Sequence, residues 1–550
     1  MPMPAALLRP AVLAACAVLA WTAFDGYRSW QGNRDRLLAL VADAGALSPA
    51  VERRLRREIT PHHARLEAAR ALVFHLLAAP PLAELPAAER EAAGDARRRA
   101  LDAARSLARE GLAAQPNSWQ AAMLVGATTY LEWSLDRDPR LFTDADAWHQ
   151  PLLAAVEAAP REAEPRRVLA TAYLELWPVL SPARKDFARR LLRRTFAEDP
   201  ESFARLGIAW LKIAGDPEEA FALVPDQPSA WLQVLSAFAA EKRFQLVCRS
   251  HERYLASLER SLARRLEDGE RRLDLGDVFH SRTRFARVVA EAPPEQRFVP
   301  LVNRALARYP PGLLSAGTND AMAGWLRWAI ALSEVRLFPL EPNIVARLAV
   351  ATQRLGPPDA ALVALLGGDR VRAERLERLS REHAIRAWAP YLIAKAHYLV
   401  ERGQAAAADE VLARVDPASR QQAPYWLARQ AVARALGDPV LVAEADHEVD
   451  RRRAGSWPAD AWRSVPRGWS LYVLPAAAGS GLTITPAEVA PEGAAVLVRW
   501  DGATAACRAI RPGRPLHLEI GVTPDPHLLE WSTVGGLPTR PGPVELLPAT

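Results

Sequence analysis

Lysine is almost missing from this chain of 550 residues: Lys185, Lys212, Lys242 and Lys395 are the only four. Cysteine is rarer still. Cys16, Cys248 and Cys507 lie far apart with no CxxC pair, which argues against a disulfide framework and a structural zinc site. Charge of one sign is also scarce, since 70 Lys+Arg against 64 Asp+Glu leave +6. So small an excess does not make a nucleic-acid binder by charge. The short motifs that carry chemistry are absent as well. There is no GxxxxGK[ST], no GxGxxG between a strand and a helix, no HExxH and no GxSxG. Neither a cofactor nor a metal is therefore expected. What remains is a globular composition, half hydrophobic and 24% charged, with Arg, Ala and Pro abundant in the manner of a GC-rich bacterial genome.

Residues 5–24 form one apolar run with a single charge, Arg9. Twenty helical residues span about 30 Å, the hydrocarbon thickness of a bilayer. Arg9 suits one headgroup layer, and Trp21, Tyr27 and Trp30 suit the other. The run reads as an uncleaved membrane anchor. A cleaved secretory signal and a lipoprotein signal at Leu13-Ala14-Ala15-Cys16 are the alternatives. The expected placement is a single pass of the inner membrane with a periplasmic body.

From residue 34 to about 455, amphipathic stretches of helix formers alternate with Pro, Gly-Asp and Asp-Pro breaks. In Ala87–Ala114, residues Leu101, Ala104, Leu107, Ala108 and Leu112 form one stripe. Short helices with polar outer faces cannot bury themselves singly, so they must stack. Gly403 and Gly437 are 34 residues apart, and so are Leu392 and Trp426. Pro390–Pro417, with Leu392, Ala396, Leu399, Gly403, Ala408 and Leu412, resembles a tetratricopeptide repeat. Ala104, Ala108, Pro116 and Gly126 fit the same scheme, and Phe203–Val224 around Gly215 fits in part. Gln430, where a small residue is wanted, and Asp446, where an apolar one is wanted, depart from it. The resemblance implies a right-handed α-solenoid of helix pairs that binds protein partners in a groove. Groove-facing positions on its first helices would be Arg205, Lys212, His397, Glu401 and Arg434. The partner expected for an envelope scaffold is polysaccharide-export or secretion machinery.

After Arg453 the period changes to two. Trp469–Leu474, Leu482–Thr485, Ala494–Trp500, Ala505–Ile510, Leu516–Val522 and Leu528–Val534 read as strands of a small antiparallel β-sandwich. The expected organisation is an anchor and flank (1–33), an N-terminal helical-repeat region (34–235) and a middle helical region (236–385). Tetratricopeptide-like pairs (386–455), a linker (456–468) and the sandwich (469–550) follow.

Three polar groups have a weaker claim to chemistry. Asp136, Asp138, Asp144, Asp146 and His149 crowd one stretch that reads first as a solvated turn; His62, His63 and His75 read as surface or packing residues. His280, Asn303 and Tyr309 would serve a polysaccharide lyase, the alternative to a scaffold, with a glycan-binding protein beside it. Trp457, Trp462 and Trp469 are expected to cement sandwich to helices, or else to stack on sugars.

Overall fold

The chain folds into helices first and strands last, in the order the change of period predicts. The computed structural model describes residues 85–136, 145–308, 316–347, 351–379 and 385–548 apart from Gly215 and Arg467. It also describes Leu66, Ala69, Arg70, Leu72, Val73 and Leu76. The segment read as a membrane anchor lies outside these. Among the described residues no helix is long and apolar enough to cross a membrane. The chain divides into two compact units, Met1–Pro225 and Asp226–Thr550.

In the first unit, α1 (Ala87–Ala114) buries its stripe against Leu66, Ala69 and Leu72 and against Ala121, Leu124 and Val125 of α2 (Trp119–Asp136). The next pairing is α2 with α3 (Ala145–Ala158). It needs a small residue at Gly126, where a Cβ would stand 2.5 Å from the Leu152 side chain and 2.9 Å from the Trp148 carbonyl oxygen. A larger residue there would force the helices apart. Then α4 (Ala163–Glu175) pairs with α5 (Pro182–Glu198), whose first turn is capped by Ser181. Two short helices, α6 (Ile208–Ile213) and α7 (Pro217–Phe221), complete the described part.

The second unit continues with α8 (Pro228–Ala240), the 31-residue α9 (Phe244–Asp274), α10 (Val278–Glu291), α11 (Val299–Arg308), α12 (Ala316–Ser333), α13 (Pro342–Arg347) and α14 (Pro357–Leu366). Helices α9 to α14 share one core around Trp325, whose indole N–H donates to the Ala292 carbonyl. A second core joins α14 to α15 (Arg370–Leu379), α16 (Ala389–Glu401), α17 (Ala405–Leu412) and α18 (Ala423–Leu436), and α19 (Pro439–Arg452) packs on α18. The repeat-like positions Leu392, Ala396, Leu399, Ala408 and Leu412 are all buried, and Gly403 turns the pair at φ +72°. Such a φ suits glycine, which has no Cβ to clash. Gly437 caps α18 in the same way at φ +70°.

The two departures from the repeat meet each other. The Gln430 amide donates to the Asp446 carboxylate at 2.6 Å, and Arg434 adds a bond at 3.0 Å. A polar pair replaces the small-to-apolar contact between α18 and α19. Nearby, the buried Glu377 of α15 accepts from Lys395 (2.8 Å), the Tyr391 hydroxyl (3.0 Å) and Arg414 (2.6 Å). Burial works to raise the Glu377 pKa, but its donors together hold it below the ordinary carboxylate value.

The C-terminal strands form two antiparallel sheets, ordered β1-β9-β4-β7 and β2-β3-β8-β5-β6. They comprise β1 (Ser456–Trp457), β2 (Arg463–Val465), β3 (Gly468–Val473), β4 (Gly479–Ile484), β5 (Ala494–Trp500), β6 (Ala503–Ile510), β7 (Leu516–Val522), β8 (His527–Gly535) and β9 (Val544–Pro548). Leu471, Val496 and Trp531 of one sheet share a core with Leu482, Leu518 and Val544 of the other, so the pair is a sandwich. Residues 456–468, expected as a linker, contribute β1 and β2. Trp457 and Trp462 are buried in the sandwich core instead of bridging to the helices, and Trp462 donates to the Gly542 carbonyl at 2.8 Å. Trp469 packs on that core, with the Arg540 guanidinium over its ring. None of the three offers an open face to a sugar.

Glycines let the sandwich approach the helices closely. A Cβ on Gly535 would stand 2.9 Å from Val247 of α9, and one on Gly502 would stand 2.7 Å from Trp328 of α12. Leu528 and Tyr472 belong to the helical core rather than to the sandwich core.

Candidate functional site

Helix α16 starts after Trp388, with Pro390 in its first turn, where a missing N–H costs nothing. It turns Tyr391, Leu392, Ala396 and Leu399 inward. That leaves Pro390, Ile393, Ala394, His397, Tyr398 and Glu401, spaced by three and four, on a face that lines two adjoining cavities. One of about 190 Å³ lies between this face, the end of α12, the start of α18 and the sandwich residues Arg463 and Pro526. The other, of about 390 Å³, continues along Phe338, Leu365 and Leu366 to Glu401. Ser333, Arg336, Ala394 and His397 line both, so they form one groove. At 1.5 Å per residue, the stretch of α16 from Pro390 to Glu401 gives it a length of roughly 16 Å.

Its floor is apolar and its rims are charged. Arg336, in the turn that follows α12, lies in the left-handed region at φ +63°, with the Leu337 N–H returning to the Leu332 carbonyl at 3.0 Å. A glycine is the usual occupant of such a cap. The Arg336 guanidinium meets Glu401 across the groove at 3.1 Å. At the sandwich end Arg463 meets Glu334 at 3.1 Å, and Arg386 stands exposed. Burial raises the Glu334 pKa, opposed by Arg463. His397 is half-buried, and burial with Arg336 nearby lowers its pKa to about 4. Its imidazole is therefore neutral at physiological pH, with one donor and one acceptor nitrogen on a residue that lines the groove.

Of the five positions inferred from the repeat resemblance, His397 and Glu401 share this groove. Arg434 is engaged by Asp446 instead. Lys212 is exposed at the end of α6, in the first unit, and Arg205 lies on the π turn Phe203–Gly207 with its side chain outside the described residues. Sequence reasoning missed Arg336, Arg386 and Arg463. No local pattern marks them, and only packing brings them to α16.

Among the described residues the other candidates are not gathered into a reaction centre. His280 holds Asp277, the cap of α10, at 2.9 Å, and Asn303 donates to the Pro339 carbonyl at 3.3 Å. Each has its own structural partner, and Tyr309 lies outside the described residues. Asp138, Asp144 and the side chains of Asp136 and Asp146 also lie outside, as do His62, His63 and His75. His149 packs among Trp148, Tyr173 and Phe187, with the Tyr173 hydroxyl 3.2 Å away and its pKa pushed up to about 12 by burial. Among the described residues no group of three or more His, Cys, Asp or Glu is placed to hold a metal ion.

One relay was not foreseen. His527 lies 2.7 Å from Asp501 and 3.0 Å from the Thr523 hydroxyl, an order that resembles a hydrolytic triad. Its ring is buried and stacks on Trp500 at 4.4 Å, while the other Asp501 oxygen accepts the Leu528 N–H at 2.8 Å. These bonds close the turn between β7 and β8 and tie it to the β5–β6 turn. Neither cavity of the groove is lined by Thr523, His527 or Asp501.

No family model and no curated protein matches the chain. Solved structures that align over much of it include two repeat proteins. A circular tandem repeat protein is 13% identical over 71% of this chain and 83% of its own, with a TM-score of 0.19. The pentatricopeptide repeat protein PPR10 from maize is 13% identical over 82% of this chain and 88% of its own, with a TM-score of 0.18. Both scores fall below the level at which two chains share a fold.

Proposed function

We propose that this protein is a non-catalytic, membrane-anchored scaffold of the bacterial cell envelope that holds an extended segment of a protein partner in the α16 groove. The observation that carries the reading is the groove itself: a mostly apolar floor from Pro390 to Glu401, roughly 16 Å long, between charged rims, on the half-buried face of α16. About five extended residues cover that length at 3.3 Å each. Arg386, Arg336 and neutral His397 supply donors to the carbonyls and carboxylates of such a segment. Tetratricopeptide-like helix pairs in a right-handed stack would present the groove. The partner class that fits an envelope scaffold is polysaccharide-export or secretion machinery. The anchor is the apolar run 5–24, with the body in the periplasm.

Photo-crosslinking tests this in cells. A photoreactive residue at Ala394 should give one dominant protein adduct. The Arg336→Gly, Arg386→Glu double variant should reduce that adduct about a hundredfold with unchanged circular dichroism, the loss expected from two charge-assisted bonds at about 1.5 kcal/mol each. Glycine at position 336 suits the left-handed backbone, so the variant keeps the helix cap. An adduct at Lys212 with none at Ala394 would refute the α16 groove. An alkaline phosphatase fused after Thr550 reports placement: activity supports a periplasmic body and silence refutes it.

A further inference from the structure

Two of the three cysteines meet, although 259 positions separate them in the chain. Cys248 lies in the second turn of α9, buried toward the sandwich next to Val247, which touches Gly535. Cys507 lies in β6, between neighbours of which Ala506 points into the sandwich core. Alternation therefore turns Cys507 to the opposite face, where α9 packs. Its register partner Leu497 is buried there too, outside the sandwich core. Cys248 is the neighbour that acts most strongly on the Cys507 thiol, which places the two thiols close together across the packing of α9 on β6. Both cysteines are free in this structure.

We propose that Cys248 and Cys507 are a modification site, a dithiol that closes to a disulfide and staples the sandwich to α9. The co-reactant is a small-molecule or protein disulfide. The half-buried Cys507 is the more accessible of the two, so its thiolate attacks one oxidant sulfur and releases the other as a thiolate. The Cys248 thiolate then attacks Cys507 in the mixed disulfide and releases the second oxidant thiolate. One S–S bond forms and one breaks, and two electrons pass to the oxidant, whose two thiolates take up the two protons. The neighbouring Cys248 thiol and burial raise the Cys507 pKa, so the thiolate is scarce near neutral pH and the reaction quickens as pH rises. The staple would fix Arg463 and Pro526 of the sandwich against the helices, whatever the groove holds. It does not rest on the scaffold reading.

Intact mass spectrometry of the full detergent-purified chain tests it, after incubation with oxidised glutathione at about pH 8.5, where thiolate is more abundant. The expected result is loss of two hydrogens, a 248–507 crosslinked peptide pair, and a thermal midpoint raised by several degrees that a reductant reverses. Cys248→Ser and Cys507→Ser should each abolish the rise, while Cys16→Ser should keep it. A glutathione adduct on Cys507 that never resolves, or two thiols that still alkylate fully after oxidation, would overturn the proposal. So would a crosslink that uses Cys16.

Discussion

His397 and His251 show at the residue scale how burial decides what a side chain is at a given pH. Both are held near pKa 4: His397 by burial and Arg336, His251 by burial with Arg499 and Arg297. Their ordinary value is 6.5. Between the two values the unfolded chain binds more protons, so stability rises with pH. The contribution is complete above about 6.5 and is lost as pH falls toward about 4. Glu334 and Glu530, raised by burial, act in the opposite sense, so the informative comparison is between variant and parent. A His251→Asn, His397→Gln variant should lose less stability than the parent between about pH 7 and about pH 4.5, by on the order of 1–2 kcal/mol in urea unfolding. Parallel curves would show that these histidines do not couple to folding.

Helices α16 and α17 were legible as elements. Their small and large apolar residues fall at helical spacing, and Gly403 sits where only a left-handed turn continues the chain. Six strands were legible by alternation. The strands β1, β2 and β9 were not, since two or three residues, or a run ending in proline, show no period. The Gln430–Asp446 pair explains how α18 and α19 pack with two residues that depart from the repeat-like pattern. Asp446→Leu alone strands Gln430 and Arg434 and should cost about 1–2 kcal/mol. Adding Gln430→Ala restores the small-to-apolar contact and should recover most of that loss. A double-mutant cycle in urea reads the coupling directly, and strictly additive costs would sink the compensation.

For the molecule as a whole, the sandwich keeps its own core but is tied into the helical core of the second unit. Thr504 donates to the buried Glu295, Gln296 donates to the Gly502 carbonyl, and Leu528 fills the core of α9 to α14. Ending the chain after Arg453 would uncover Phe244, Val247, Trp328 and Leu332 and leave Glu295 without its hydroxyl partner. The shortened protein should bind a hydrophobic dye and lose its cooperative thermal transition. A monomer that melts with the parent's sharpness would show the sandwich to be a dispensable appendage.

By itself, the sequence determined that helices precede strands, where six of the strands lie, and which faces of α1, α16 and α17 are buried, because apolar spacing acts within a few turns of chain. It also placed His397 and Glu401 on one face of one helix. Only the tertiary structure decided that Arg336 and Arg463 would stand at the same groove, with Glu334 and Arg463 paired across 129 positions. The same holds for Cys248 and Cys507, which read along the chain as scattered thiols. Such meetings depend on which surfaces fit when distant segments close on each other, a property of packing that no local window of residues contains.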